Sequence, residues 1–292
     1  MICNYKVYTS LKCNYKVITK LLLYYIVITF SITGYALTFD SELIDGKLVY
    51  GHLEKGEQLF VKNSYLNIGK NDKNLFEIHP DKQGRFILGI PQDKSELSVV
   101  IQKDNIKKEV YFPVSLRTWD EEFVTGLPPK KVSPNQQDNE RIVSESLAMR
   151  QARQVSDFNE FPNTWQRPVL EFKRISSQFG SRRILNNIKK QGHSGIDYAA
   201  PIGTAITSPA PGKVVYIHPD MFLTGQTVMI DHGFGVFSGY SHMSSINVEL
   251  NQNVNTGDLI GFIGQTGRAT GPHLHFTITW YGVRVNPEDL FN

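Results

Sequence analysis

The C-terminal half of the chain alternates short runs of β-branched and aromatic residues with turns that contain glycine. Runs such as Lys213–Ile217, Thr227–Ile230 and His275–Trp280 follow turns such as Pro211-Gly212. Short runs bounded in this way are typical of β-strands. Residues 166–292 show no apolar repeat of helical period. We therefore expect an all-β domain over residues 165–292 in a mainly β protein.

The region before it divides in two. Residues 37–115 contain similar short runs, among them Gln58–Val61 and Arg85–Ile90, and such spacing predicts a small β-sandwich. Residues 116–164 begin with a breaker around Pro128-Pro129 and read as a linker with one helix, over 139–155. Arg150 and Arg153 lie on that helix, and the acidic residues nearby favour a solvated helix face.

Residues 1–36 have the pattern of a secretory signal. Four lysines precede an uncharged run of 19 residues, 21–39, and Gly34-Tyr35-Ala36 offers small residues for cleavage. The alternative is an uncleaved membrane anchor, because the uncharged run is nearly long enough to span a bilayer. The short apolar core favours cleavage after Ala36. We therefore expect an exported protein, periplasmic or associated with the cell envelope.

Removal of this leader changes both the charge and the thiol content of the chain. The full chain has a formal charge of +3, but residues 37–292 hold 27 basic and 28 acidic residues. This balance gives no support to nucleic-acid binding. Both cysteines, Cys3 and Cys13, lie in the leader, so the remainder has neither disulfides nor thiolate ligands. Any metal there must be held by His, Asp or Glu.

Histidines and one aspartate supply such ligands. His273 and His275 are two residues apart on a predicted strand, which places both on one face. His193 and Asp197 lie on a glycine-rich loop that runs into a strand, and His242 follows Tyr240-Ser241 at a strand end. Three protein ligands with one open position are typical of catalytic zinc. The spacing alone does not decide which imidazole of the 273/275 pair binds the metal.

These motifs resemble the lysostaphin-type (LytM-like) zinc metallopeptidases. The family pattern joins an H-x-x-x-D, a Y-x-H and an H-x-H element, which stand here as His193…Asp197, Tyr240-Ser241-His242 and His273-Leu274-His275. The surrounding segments are similar too: 175–183, 192–204 and 264–276. The resemblance covers about residues 165–292. Several spaced motifs in the right order are far more specific than an isolated H-x-H.

The resemblance implies a role for each of these residues. His193, Asp197 and His275 would bind one Zn²⁺ per chain, while His242 and His273 would stay unligated and serve as general acid, general base or oxyanion partner. Which of the two is the base is left open. His232 is expected to be structural, holding its own turn by hydrogen bonds. Arg182 and Arg183 fit either contacts with acidic wall components or a solvated pair.

The activity implied is that of a metalloendopeptidase that cuts amide bonds in peptidoglycan stem peptides or cross-links. Both D,D-endopeptidase and glycyl endopeptidase activity remain open. An inactive wall-binding regulator of other murein hydrolases is the alternative, although the intact site residues argue against it. We expect peptidoglycan as the partner, a monomer, no nucleic acid and transient inner-membrane association through the N-terminal segment. In similar multidomain relatives, regions like 37–115 cover the catalytic groove, which suggests a regulatory role here.

Overall fold

The computed structural model describes residues 28–29, 37–66 and 74–291. The predicted signal peptide or anchor at 1–36 lies outside the described residues, apart from the two-residue strand Ile28–Thr29. The described part is mainly β, as the sequence predicts. None of the helices in these ranges is long and apolar enough to cross a membrane.

Residues 37–113, together with the two-residue strand Ile28–Thr29, form two four-stranded sheets whose inner faces share apolar residues. The alternation along Gln58–Lys62 shows why, because Leu59 and Val61 are buried while the two end residues are exposed. One sheet has the order β1-β2-β3-β6 and the other β5-β4-β7-β8. The strands are β1 (Ile28–Thr29), β2 (Thr38–Phe39), β3 (Leu48–His52), β4 (Gln58–Lys62), β5 (Leu75–Ile78), β6 (Arg85–Gly89), β7 (Glu96–Lys103) and β8 (Ile106–Pro113).

The segment predicted as a linker with one helix contains more structure than expected. It holds β9 (Glu121–Val124), α1 (Pro129–Val132) and α2 (Gln136–Ala152). Helix α2 begins three residues earlier than predicted because Asn135 caps it, accepting a hydrogen bond from the Asp138 amide. It also ends three residues earlier than predicted, just before the chain turns to meet Asp231.

A ten-stranded antiparallel sheet makes up the C-terminal part. Its main path has the order β10-β13-β20-β17-β16-β15-β18, with β14, β19 and β21 paired to its side. A separate short sheet has the order β12-β11-β9. The strands are β10 (Arg174–Ser177), β11 (Arg182–Leu185), β12 (Ile188–Lys189), β13 (Ile196–Ala199), β14 (Ala205–Thr207), β15 (Gly212–Met221), β16 (Gly225–Asp231), β17 (Val236–Ile246), β18 (Asn253–Val254), β19 (Leu259–Ile263), β20 (His273–Trp280) and β21 (Val283–Val285). Two 3-10 turns, Asn63–Tyr65 and Pro287–Leu290, complete the described elements.

The sandwich packs against the large sheet at the C-terminal end of β20 and at β21. A Cβ added to Gly89 of β6 would lie 2.9 Å from the Cβ of Trp280, so the backbone of one part touches the side chains of the other. The Asn286 amide donates to the Gly46 carbonyl at 2.6 Å. Arg117 also pairs with Asp289 at 2.6 Å. The buried apolar residues of both parts consequently form one continuous core.

Candidate metal centre

A cleft of about 1000 Å³ runs along one face of the large sheet. Its floor follows β20, where His273, His275, Thr277 and Thr279 alternate with residues that point into the core. Leu274 and its even-numbered neighbours are buried on the opposite side, as expected for a strand of period two. All five histidine and aspartate residues singled out in the sequence line this cleft.

Strand pairing brings three of them together at one point. β13 lies antiparallel to β20 with Asp197 opposite His275, and His193 precedes β13 on its loop. The His275 Nδ1 lies 2.7 Å from the Asp197 Oδ1 and 2.9 Å from the His193 Nε2. The His193 Nε2 is 3.1 Å from the same carboxylate oxygen. These three residues are buried, and one ligand atom from each lies within 4.8 Å of the others.

The hydrogen bonds of the two imidazoles show that this cluster suits a cation. The His193 Nδ1 lies 2.9 Å from the Gln178 carbonyl, to which it donates its proton, so its Nε2 carries a lone pair. The His275 Nε2 lies 3.2 Å from the Ser194 hydroxyl, and its Nδ1 faces the Asp197 carboxylate. The His193 lone pair, the His275 Nδ1 and a carboxylate oxygen then converge on one point, and all three are donor atoms that a shared metal ion can bind. The donor set therefore fits a metal such as zinc.

The electrostatics of the cluster agree with this. Burial alone would raise the pKa of Asp197, but the charges and hydrogen bonds of His193 and His275 outweigh burial and hold that pKa well below its usual value. Burial lowers the pKa of His275 to about 4, against the opposing effect of Asp197. The carboxylate is therefore charged and the His275 imidazole is neutral at neutral pH, the states in which both can bind a metal.

A second layer of polar residues holds the carboxylate and His193. Arg183 donates to the other oxygen of Asp197 and, at 2.8 Å, to the Ser177 hydroxyl. Ser177 also lies 2.9 Å from the His193 Nδ1 and donates to Glu122 of β9. The sequence leaves two interpretations open for Arg183, contacts with acidic wall components or a solvated pair with Arg182. It does not single out Ser177 or Glu122. The similar segment 175–183 was the one signal that pointed to this layer.

His242 and His273 stand beside the cluster rather than within it. Their ring centroids are 4.7 Å apart, and the His242 ring is 6.1 Å from that of His275. The His242 Nδ1 lies 2.7 Å from the Thr266 carbonyl, and the His273 Nδ1 lies 2.8 Å from the Gly271 carbonyl. Both carbonyls hold the proton on Nδ1 and leave Nε2 as an acceptor. Burial, with repulsion from the neighbouring imidazoles, lowers the pKa of His242 to about 3.

The backbone at His242 is unusual. Its φ is 63°, in the left-handed region that residues with a Cβ rarely adopt. The His242 amide donates to the Thr224 carbonyl at 2.7 Å, which helps to fix this conformation. Strained conformations of this kind concentrate at functional sites, where the surrounding structure enforces them.

His232 lies outside the cleft. Its Nδ1 is 2.7 Å from the Pro211 carbonyl and its Nε2 is 2.7 Å from the Ser238 hydroxyl, while its amide donates to Val236 across the turn. The residue is fully buried. These contacts connect neighbouring turns, which is consistent with a structural role for His232.

The fold and the site resemble those of a metallopeptidase, and comparisons with known proteins support this resemblance. Residues 191–287 match the model of Peptidase family M23. The resemblance to the lysostaphin-type enzymes is confirmed over those residues. A DD-carboxypeptidase/endopeptidase, Mpg of Neisseria meningitidis, is 44% identical over 120 residues, which are 40% of this chain and 27% of the relative. The peptidoglycan DD-endopeptidase ShyA of Vibrio cholerae is 42% identical over 122 residues, 41% of this chain and 28% of the relative.

These alignments span little more than a quarter of the curated relatives' length. A solved structure extends the likeness over more of the chain. The crystal structure of a putative peptidase M23 from Pseudomonas aeruginosa aligns with 85% of this chain and 94% of its own, with a TM-score of 0.56 and 25% identity. The likeness therefore reaches beyond the family domain into the N-terminal part.

Proposed function

We propose that the protein is a zinc metalloendopeptidase that cleaves amide bonds in the stem peptides or cross-links of peptidoglycan. The observation that carries the proposal is the convergence of His193, Asp197 and His275 beside two further imidazoles in one cleft. The relatives named as peptidoglycan DD-endopeptidase and DD-carboxypeptidase/endopeptidase support the substrate class. They favour D,D-endopeptidase activity over cleavage of glycine bridges.

His193 through Nε2, Asp197 through Oδ1 and His275 through Nδ1 would hold the zinc. Two imidazoles and a carboxylate are an ordinary ligand set for catalytic zinc. When bound, zinc supplies Lewis acidity, which acidifies water and polarises a carbonyl group. Arg183 and the Gln178 carbonyl orient two of the three ligands, as residues behind a metal site commonly do.

The remaining chemistry belongs to His242 and His273. The carbonyls of Thr266 and Gly271 keep their protons on Nδ1, so each Nε2 can accept a proton from the attacking water. The imidazolium that forms can donate the proton to the leaving amine, or a hydrogen bond to the developing oxyanion. Both side chains line the cleft in which the substrate would lie.

We further propose that the chain is exported and works as a monomer in the periplasm or at the envelope, with its N-terminal segment in transient contact with the inner membrane. The leader pattern at 1–36 supports export.

We also propose that residues 37–115 regulate the activity. Among the described residues before 165, those that line the cleft belong to β9, to the loop after it and to α2. None of them belongs to 37–113. Regulation by the sandwich would therefore act through these segments.

Digestion of purified sacculi by the full chain tests the proposal. Mass spectrometry should show new stem-peptide ends, a chelator should abolish the digestion, and added zinc should restore it. Digestion that is insensitive to the chelator would refute the zinc enzyme. Binding to the sacculi with no cleavage under any metal condition would favour the alternative, an inactive wall-binding regulator.

A further inference from the structure

The cleft carries a large excess of positive charge that the proposed chemistry does not use. Residues 37–292 are close to neutral, so this excess is local. Two carboxylates, Glu122 and Asp197, line the cleft, and Arg183 already pairs with both. The cationic side chains of the lining are Arg150, Arg153, Arg174, Arg183, Lys190, Arg268 and Arg284.

Three of these arginines form a group at one end of the cleft, which we call the arginine cluster: Arg150, Arg153 and Arg284. Arg150 and Arg153 are three residues apart at the C-terminal end of α2 and share one face of it. Arg284 lies on β21 directly opposite Thr279 of β20. The helix face that the sequence predicted to be solvated therefore overlooks the floor of the cleft.

The arginine cluster has no acidic partner in the described ranges. None of the ion pairs found there involves these three residues. Burial, with repulsion from Arg284 and Arg150, lowers the pKa of Arg153 to about 10. Guanidinium groups that face one another without a counter-charge favour a bound anion, above all a carboxylate, which they bind in a bidentate manner.

Thr279 gives an independent indication of a ligand at this place. Its side chain lines the cleft and is 4% exposed. Its hydroxyl has no hydrogen-bond partner within the described structure. A buried polar atom without a partner is costly, and a polar group of the substrate would remove that cost.

The position of the arginine cluster restricts which carboxylate fits. Thr279 is four residues from His275 along β20, or about 13 Å at strand rise. In a stem peptide cross-linked through diaminopimelate, that residue's free carboxylate lies next to the scissile nitrogen. The α-carboxylate of the γ-linked glutamate lies roughly eleven bonds away, about 13 Å in an extended chain. Glycine bridges carry no side-chain carboxylate at all.

We propose that Arg150, Arg153 and Arg284, with the Thr279 hydroxyl, bind the free α-carboxylate of the γ-linked glutamate in the stem peptide and so select non-amidated stems. This inference rests on the proposed function and adds a specificity site to it. Half of the site comes from α2, which lies before the family match at residues 191–287.

Binding of cross-linked muropeptides to the full chain tests the inference. The full chain carrying His242→Ala should bind them without cleavage, so that fluorescence anisotropy reports affinity alone. Three forms of the muropeptide are compared: one with both carboxylates free, one with the glutamate carboxyl amidated, and one with the diaminopimelate carboxyl amidated. Each muropeptide is titrated against the His242→Ala protein. It is also titrated against the same protein with one further substitution: Arg153→Gln, Arg284→Gln or the control Lys94→Gln. Lys94 is an exposed cation of the sandwich outside the cleft, and its loss removes the same charge.

Amidation of the glutamate should weaken binding about tenfold, as expected for loss of a charge-assisted pair. Arg153→Gln and Arg284→Gln should each shrink that difference, and Lys94→Gln should keep it. Equal affinity for all three ligands, or a difference that survives both arginine substitutions, would overturn the site. A loss confined to the diaminopimelate amide would overturn the assignment to glutamate. Arg284 is exposed, so this variant keeps the test valid if Arg153→Gln does not fold.

Sacculus digestion by the unsubstituted chain separates the two proposals. If the chain digests sacculi but binds the three muropeptides with equal affinity, the carboxylate site is refuted and the endopeptidase activity stands. A carboxylate-dependent affinity without digestion supports the site and refutes the endopeptidase activity.

Discussion

Gly195 shows how closely the backbone is packed around the candidate metal site. It lies between His193 and Asp197, and a Cβ added there would lie 2.1 Å from the Phe276 carbonyl oxygen. Backbone atoms at that distance cannot be moved cheaply. We expect Gly195→Ala to shift the loop, lower the zinc content by more than half and lower the thermal midpoint by several degrees. Metal analysis and thermal unfolding measure the two effects.

Gly271 is the matched control. It also lines the cleft, but a Cβ added there would have no atom within 4 Å. Gly271→Ala should therefore keep the zinc content and the thermal midpoint of the unsubstituted chain. If Gly195→Ala behaved like this control, the close packing of the ligand loop on β20 would be wrong.

His232 should make stability depend on pH. Burial lowers its pKa to about 4, whereas an unfolded histidine has a value near 6.5. Between these values the unfolded chain binds the proton and the folded chain does not, so stability falls as pH decreases from about 6.5 to about 4. This shift corresponds to a loss on the order of 3 kcal/mol.

His232→Gln should reduce this dependence, because glutamine can keep both hydrogen bonds without titrating. Urea unfolding at pH 7 and pH 5 measures the difference. His218→Gln, near the exposed end of the β15–β16 hairpin, should keep the dependence of the unsubstituted chain. An unchanged pH dependence in His232→Gln would show that His232 does not carry it.

The sequence predicted the chemistry of single residues well where spacing alone brings them together. His273 and His275 share a face of β20 because a strand has a period of two. Arg183, Ser177 and Glu122 could not be found in this way. Glu122 is 61 residues from Arg183, and it reaches Arg183 through a parallel pairing of β9 with β11 that leaves no local pattern.

At the scale of elements, one buried carboxylate anchors the chain that follows α2. Asp231 accepts hydrogen bonds from the Ser156 hydroxyl at 2.7 Å, from the Asp157 amide at 2.8 Å and from the Phe158 amide at 3.2 Å. It is fully buried. The anchor fixes the end of the helix that carries Arg150 and Arg153 over the cleft.

Asp231→Asn should loosen this anchor. The amide side chain can accept fewer of these bonds, and we expect a loss of about 2 kcal/mol in the free energy of unfolding. Protease cleavage between 150 and 160 should become faster. Asp258→Asn, an exposed turn residue, is the control and should change neither property. Unchanged cleavage in Asp231→Asn would contradict the anchoring role.

Strands with strong local patterns were predictable, and elements fixed by distant contacts were not. Gln58–Lys62 and Leu259–Ile263 lie where their runs of apolar residues place them. β9 was missed because Glu121-Glu122-Phe123-Val124 has no strand signal of its own and forms by pairing with β11. The shifted ends of α2 depend on Asn135 and on the anchor at Asp231.

At the scale of the molecule, the sandwich and the large sheet share one apolar core. Gly89 of β6 packs directly on Trp280 of β20. Parts that share a core unfold together when neither can lose its contacts alone. Calorimetry of residues 37–292 should therefore show one cooperative transition. Two separate transitions, or a transition in which the sandwich melts first, would contradict this.

The relative placement of these parts could not be read from the sequence. The strand pattern predicted a sandwich and an all-β domain, and the segment around the breaker at Pro128-Pro129 was predicted to be a linker with one helix. In the structure, that linker supplies Glu122 to the site and two arginines to the cleft. Contacts between residues far apart in the sequence, such as Glu122 and Arg183 at a separation of 61 positions, decide this arrangement. Short-range periodicity carries no information about them.

The central claim is that His275 holds the metal and His273 acts beside it. Zinc content and sacculus digestion, measured on His273→Ala and His275→Ala of the same full chain, test it most directly. We predict that His273→Ala keeps about one zinc per chain and loses digestion by at least a hundredfold. His275→Ala should lose both the zinc and the digestion. Zinc retained by His275→Ala and lost by His273→Ala would contradict the account.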